Sequence, residues 1–397
     1  MDKFKKQVPD GVEDCLPAEC FIKKEMEAAL RKRFILSGYD EIETPSYEYL
    51  DVFQSGVGAY MQESMIKFVG PNGRILVLRP DLTVPIARVA AAKLTNESVK
   101  RLFYIQNSYA AAEPAIGKSG EFTQAGIELI GDAGCSADAE VIALAVRALQ
   151  TAGLKTFTID IGQVAYFKAL VSGLDLEETQ IDALRHAVDS KDIIEIEAMA
   201  NRMGITGRQR EQVLALPNLF GGAEVFDKAL ALSDEPGCRE AVENLRSVYA
   251  LLSDYGLSEY ISIDFGMLHD IAYYSGIIFR GLTPEIGFPV VSGGRYDELL
   301  GKFGEPSPAT GFALGIKRVM IAMERQGLLS GYYKTDAVMS FDGKSGGAAF
   351  AWAERHRADG KRVVSLPNIT VQQLLAEKNK KGAMIAVYFD ESGMREL

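Results

Sequence analysis

Histidine occurs three times (His186, His269, His356) and cysteine four times (Cys15, Cys20, Cys135, Cys238), all irregularly spaced. Neither set has the spacing of a zinc cluster, and no metal or cofactor is expected. Long apolar runs are missing too. FALGIKRVMIAM is broken by Lys317 and Arg318, and no stretch approaches the roughly 20 residues that cross a bilayer. The first residues, MDKFKKQVPDGVEDCLP, carry charges with no apolar core behind them, so no signal peptide is expected. Positive charge is in deficit: 43 Lys and Arg stand against 54 Asp and Glu, a net charge of −11. That balance argues mildly against a surface built for nucleic-acid phosphate. A reduced, cytoplasmic, metal-free protein is the expectation.

What is present is a core: 47% of residues are hydrophobic. The length leaves room for two or three domains at about 150 residues each. Pro17 begins a helical stretch in which Ile22, Met26, Leu30 and Phe34 form one apolar stripe, with Gly38 placed to end it. YDEIETPSYEYL and RILVLRP read as strands, the first interrupted at Pro45. LFYIQNSY (102–109) and EFTQAGIELIG (121–131) are strands around a loop of small residues, and Ser136 is placed to cap the helix that ends at Gly153. From 165 to 258 helical segments follow one another with no good strand between them, an all-helical insertion. Strands return with YISIDFG, YYSGIIF and GFPVVSGG, and GFALGIKRVMIAMERQG runs from a short strand into a helix. The expected class is α+β: an antiparallel sheet with flanking helices over residues 1–327, then a small α/β domain over 331–397 whose sheet is partly parallel.

Few residues point to chemistry unaided. In EFTQAGIELIG, Gln124, Gly126 and Glu128 share a face, and the gap at Gly126 would let a small ligand lie against the backbone. A half-buried strand with a solvated polar face explains the pattern as well. Asp81 and Thr83 in LRPDLTVP place a carboxylate and a hydroxyl at the start of a helix, as a cap or as ligand contacts. SGGRYDELLG offers a glycine pair before Arg295 and Asp297, read equally well as a turn. The GKS triplets at 117–119 and 343–345 are not phosphate loops, because Ala112 and Val338 stand where that motif needs glycine. GVGAYM (56–61) lacks the last glycine of a dinucleotide fingerprint. His269 beside Asp270 has no accompanying nucleophile and is given no catalytic role.

The order of these pieces resembles histidyl-tRNA synthetase over roughly residues 8 to 327. PDGVEDCLP, GYDEIETPSYE, LRPDLTVPIARVAA, QNSYAAAEPAIGKSGEFTQAGIELIG, YYSGIIF, SGGRYD and PATGFALGIKR carry the resemblance. It implies a class II aminoacyl-tRNA synthetase-like fold that dimerises around Pro45. It also exposes departures. Ala110 and Ala112 stand where the synthetases carry an arginine and a glutamate that clamp ATP. Residues His269, Asp270, Ile271, Ala272, Tyr273 and Tyr274 stand where the family reads Arg-Gly-Leu-Asp-Tyr-Tyr, so a second arginine is missing. Arg318, the arginine of the third class II motif, remains. Losing donors that stabilise developing charge costs about 10²–10³ in rate for each one.

The amino-acid side is kept. The resemblance places Asp81, Thr83 and Gln124 around the α-amino group of histidine, with Glu128 and Tyr274 at the imidazole and Tyr273 beside them. That combination is similar to the ATP phosphoribosyltransferase regulatory subunits, which join a short catalytic chain and carry feedback inhibition by histidine in the first step of histidine biosynthesis. A divergent histidyl-tRNA synthetase, a synthetase-like tRNA-binding module and a ligase for another acceptor are the alternatives. In that regulatory family chains often stop near the end of the synthetase-like core. The tail from about 331 is therefore expected to be a departure, and it is shorter than a typical anticodon-binding domain.

Overall fold

Alternating apolar residues in the main body build one large sheet, and a helix stripe covers part of it. The computed structural model describes residues 7–54, 64–111, 120–268, 273–329 and 334–397. They fall into two compact units: Met1–Leu16 with Lys23–Leu328, and Pro17–Ile22 with Leu329–Leu397. The first holds β1 (Asp40–Glu41), β2 (Tyr47–Tyr49), β3 (Lys67–Val69), β4 (Ile75–Leu78), β5 (Lys100–Tyr109) and β6 (Glu121–Ile130). It continues with β7 (Thr158–Gln163), β8 (Phe220–Gly221), β9 (Ile261–Asp264), β10 (Ile277–Thr283), β11 (Ile286–Arg295) and β12 (Ala309–Gly315). Nine of these form a sheet in the order β1-β5-β6-β12-β11-β10-β7-β9-β8, and β2-β4-β3 form a small sheet of their own. Pairing is antiparallel except for β1 with β5 and β7 with β9. The class is mixed α+β, as expected.

The register explains one face of the sheet. Phe103, Ile127 and Phe312 lie side by side across β5, β6 and β12. The Phe34 ring packs 5.5 Å from Phe103 and 6.1 Å from Phe312. Phe34 comes from the helix Pro17–Leu36, whose Met26 and Leu30 are buried as the stripe requires. Gly38 follows at φ +82°, the left-handed position that ends such helices. Between β7 and β9 the helices Val164–Val171, Glu178–Asp189, Ile193–Arg202, Gly207–Ala215, Glu224–Leu232 and Pro236–Asp254 form the insertion. Ion pairs are among its contacts with the sheet: Lys191 lies 2.9 Å from Asp264, and Arg280 of β10 sits within 4.0 Å of Asp189 as well as of Asp160 and Asp264.

Four local expectations need correction. The insertion is not free of strand, because β8 pairs with β9; two residues are too few to show a period. Ser136 lies inside the helix Cys135–Ala152, whose N-cap is Gly134; the Asp132 carboxylate accepts from the Gly134 N–H at 2.8 Å and occupies the turn instead. SGGR is no turn, since β11 runs through Arg295. In the second unit β13 (Ala337–Phe341), β14 (Val363–Ser365) and β15 (Ile385–Asp390) are joined by β16 (Gly393–Glu396), a strand too polar and exposed to signal itself. The order there is β14-β13-β15-β16, parallel but for β16, with helices Gly346–Ala358 and Val371–Lys381 between the parallel strands.

Phe34→Ala removes a ring with no exposed surface from the contact with Phe103 and Phe312. It is expected to cost about 3–5 kcal/mol in urea unfolding. A loss under about 1 kcal/mol would show that this packing can collapse around the gap.

Candidate functional site

The opposite face of the same strands carries a cavity of about 250 Å³. Asp81, Thr83, Gln124, Glu128, Tyr273 and Tyr274 all line it, brought from the β4–helix turn, β6 and the segment before β10. Glu128, among the lining residues, has 1% of its surface exposed. The Thr83 hydroxyl donates to Glu128 Oε1 at 2.9 Å, and the Tyr296 hydroxyl donates to Oε2. Glu128 pairs across the sheet with Gly311, where a Cβ would collide with the carboxylate. Asp81 accepts from the Val84 N–H at 3.2 Å, so it closes the first turn of the helix Thr83–Lys93. Its other oxygen accepts from the Tyr273 hydroxyl at 3.4 Å. The N-cap itself is Leu82, and Asp81, one residue before it, both braces the first turn and lines the cavity. Gln124 Oε1 accepts from the buried Ser108 hydroxyl at 2.8 Å.

The space at Gly126 belongs to the protein, not to a ligand. Tyr104, its partner across β5 and β6, lies where a Gly126 Cβ would be. The Tyr104 hydroxyl is buried in the cavity wall with no hydrogen-bond partner among the described residues; Thr83 is close enough to favour its ionised form slightly but not to bond it. The Gly293–Gly294 pair is likewise filled from within, by Phe279 and Tyr274. Arg295 turns away to a buried ion pair, with Nε 3.0 Å from Asp138, and Nη1 reaches Asp297 at 3.1 Å. Tyr104 and Tyr296 are therefore the residues missed in the sequence. Tyr104 sits two positions before Gln106 in a strand already read, and Tyr296 follows Arg295 inside SGGRYD; only the strand register shows that both reach the polar face. Ala112, residues 269–272, the 117–119 triplet and GVGAYM lie outside the described residues.

Burial dominates the electrostatics. It pushes the Glu128 carboxyl up to about 8, against opposing hydrogen bonds from Tyr296 and Thr83. It raises Asp81 to about 6. Burial first, then the nearby acids, pushes Tyr104, Tyr273, Tyr274 and Tyr296 above the ordinary phenol value, so all four remain protonated at neutral pH. No lysine or arginine among the described residues pairs with Asp81 or Glu128. Two desolvated acids without a counter-charge are an arrangement that a small cation would complement. Nor does any group of three or more His, Cys, Asp or Glu among the described residues assemble for a metal.

The sheet, the cavity on its face and the helical insertion define a histidyl-tRNA synthetase-like protein, and the family model described as histidyl-tRNA synthetase matches residues 11–319. An ATP phosphoribosyltransferase regulatory subunit from Acetivibrio thermocellus is 45% identical over 364 residues, 91% of this chain and 87% of that one. The solved structure of an ATP phosphoribosyltransferase regulatory subunit/histidyl-tRNA synthetase from Bacillus halodurans matches with a TM-score of 0.85 and 34% identity, covering 97% of this chain and 98% of that chain. Histidyl-tRNA synthetase from a Nostoc species has a TM-score of 0.84 at 20% identity, over 99% of this chain and 96% of that one, a likeness of fold alone. The chain belongs to the ATP phosphoribosyltransferase regulatory subunit family. The Acetivibrio thermocellus relative and one from Ruminiclostridium cellulolyticum, 41% identical over 391 residues, are named for a regulatory role. The tail is no departure either: the coverage of the Bacillus halodurans chain includes it. No helix among the described residues is long and apolar enough to cross a membrane.

Glu128→Gln tests the electrostatics. A carboxyl raised from 4.5 to about 8 holds its proton more tightly when folded, so its contribution to stability is whole below the unfolded value and is lost as pH rises through 8. The unfolding free energy of the variant should gain on that of the wild type between pH 5 and 8, by up to about 1.4 kcal/mol per pH unit. A gap that does not change with pH would show that Glu128 is not desolvated in solution.

Proposed function

We propose that this chain joins a short catalytic chain of ATP phosphoribosyltransferase, confers activity on it, and returns feedback inhibition when histidine occupies the cavity. The observation that carries the reading is the uncompensated pair Asp81 and Glu128, buried in a cavity among protonated tyrosines. A zwitterionic amino acid with a second nitrogen group supplies the missing cation, and an imidazole finds both acceptor and donor partners there. Gln124, Thr83, Tyr273 and Tyr274 complete the contacts that the resemblance implies. The orphan Tyr104 hydroxyl gains a partner in the same step. Amino-acid activation does not fit: Ala110, Ala112 and His269 replace side chains that the synthetases use on ATP and the adenylate. Inhibition then follows from linkage, since histidine favours whichever quaternary state binds it better. The work belongs to the cytoplasm, with no role for tRNA.

A self-dimer through the region of Pro45 belongs to the same reading. The small sheet there leaves Tyr47, Phe68, Val69 and Ile75 exposed, Val69 by 74%. Apolar groups gathered on one sheet mark an interface better than scattered ones do. Val69→Asp with Ile75→Asp is expected to give a monomer in sedimentation; an unchanged mass would move the interface elsewhere.

The decisive experiment is a phosphoribosyltransferase assay with a short catalytic chain from the same organism. Activation by this chain, reversed by histidine, is expected, and Glu128→Ala should raise the histidine needed by at least about tenfold. No association and no activation would sink the reading. Unaltered inhibition in Glu128→Ala would place the effector at another site. Histidine-dependent ATP–pyrophosphate exchange would favour an active ligase.

A further inference from the structure

The cavity has a second, positive end. Arg318, in the first turn of the helix Ile316–Arg325, lines the same space as Glu128 and Asp81. Its stem lies against Gly315, where a Cβ would stand 3.2 Å from Arg318 Cδ. Nη1 donates to the Pro289 carbonyl at 3.0 Å, and the guanidinium lies 5.5 Å from the Phe288 ring centroid. These contacts hold the group without neutralising it, for no carboxylate among the described residues pairs with it. Burial alone lowers its pKa from the ordinary arginine value. Glu128 is opposite Gly311 and Gln124 is opposite Gly315, so the two ends are separated by four residues of β12. That is roughly 13 Å of backbone at about 3.3 Å per residue, shortened by side chains reaching in from each end.

We propose that Arg318 receives the ligand's carboxylate, which makes the cavity a receptor for a free α-amino acid and not for its amide, ester, alcohol or amine relatives. The inference rests on the histidine reading of the cavity and adds what that reading leaves unassigned: the group that answers the negative end of the zwitterion. In the synthetases this arginine serves ATP, and the same positive end could take a phosphate; a partly desolvated guanidinium needs an anion in either case. The carboxylate is favoured because the acids and the arginine line one cavity of about 250 Å³, so one small molecule meets both ends.

Calorimetric titration of the full chain with L-histidine, L-histidinol and ATP separates the possibilities. L-Histidinol keeps both nitrogen groups and replaces the carboxylate by an uncharged alcohol. Wild type should bind L-histidine at least about tenfold more tightly than L-histidinol; Arg318→Gln should lose about 10- to 100-fold for L-histidine, stay within about twofold for L-histidinol, and be partly rescued by Arg318→Lys. Equal losses for both ligands would show that Arg318 only shapes the cavity and would overturn the inference. So would ATP binding that disappears in Arg318→Gln while L-histidine affinity is unchanged. An Arg318→Gln chain that keeps full L-histidine affinity sinks this inference and leaves the histidine site standing. Wild type that binds neither L-histidine nor L-histidinol sinks both.

Discussion

Glu128 sets the terms for everything around it. A carboxylate with 1% of its surface exposed must have its oxygens satisfied or keep its proton, and here both oxygens accept hydroxyl hydrogen bonds. Each donor is fixed from elsewhere. Thr83 opens a helix whose first turn is closed by Asp81, so helix start and acid contact are one arrangement. Tyr296 follows Arg295, which is pinned by Asp138 and by the Asp132 carbonyl. Asp297 next to it accepts from the Ala309 N–H at 3.0 Å. Gly311 leaves room for the acid because any side chain there would displace it. The motif SGGRYD therefore reads as an anchor on either side of one buried hydroxyl.

A site that only binds answers to different demands from one that catalyses. Transition-state stabilisation needs donors aimed at charge that develops during reaction, whereas a sensor needs only a difference in affinity between two states. The proposed receptor fits the second description: its acids are desolvated in advance, its phenols stay protonated, and Arg318 lines the same space. Its walls come from the β4–helix turn, the central strands and the segment before β10, so occupancy bears on several parts of the fold together.

The sequence by itself determined the periodic elements: the stripe of Met26, Leu30 and Phe34, the strands of the main body, the alternation of helix and strand in the tail, and the break at Pro45. It also named the six candidate site residues that the fold gathers into one cavity, because the resemblance carried their spacing. Period and motif order are local properties, and short-range sterics and solvation write them directly into the chain. Tertiary structure alone decided the rest. Gly126, Gly293 and Gly294 look like space for a ligand until strand register fills them with Tyr104, Tyr274 and Phe279. Arg295 looks available until Asp138, 157 residues away in the chain, takes it. Tyr104 and Tyr296 gain their meaning only from what stands opposite them. The two-residue β8 exists only because β9 offers it an edge. Which polar group is buried, and which is left without its counter-charge, depends on neighbours distant in sequence, and desolvation acts only once they have assembled.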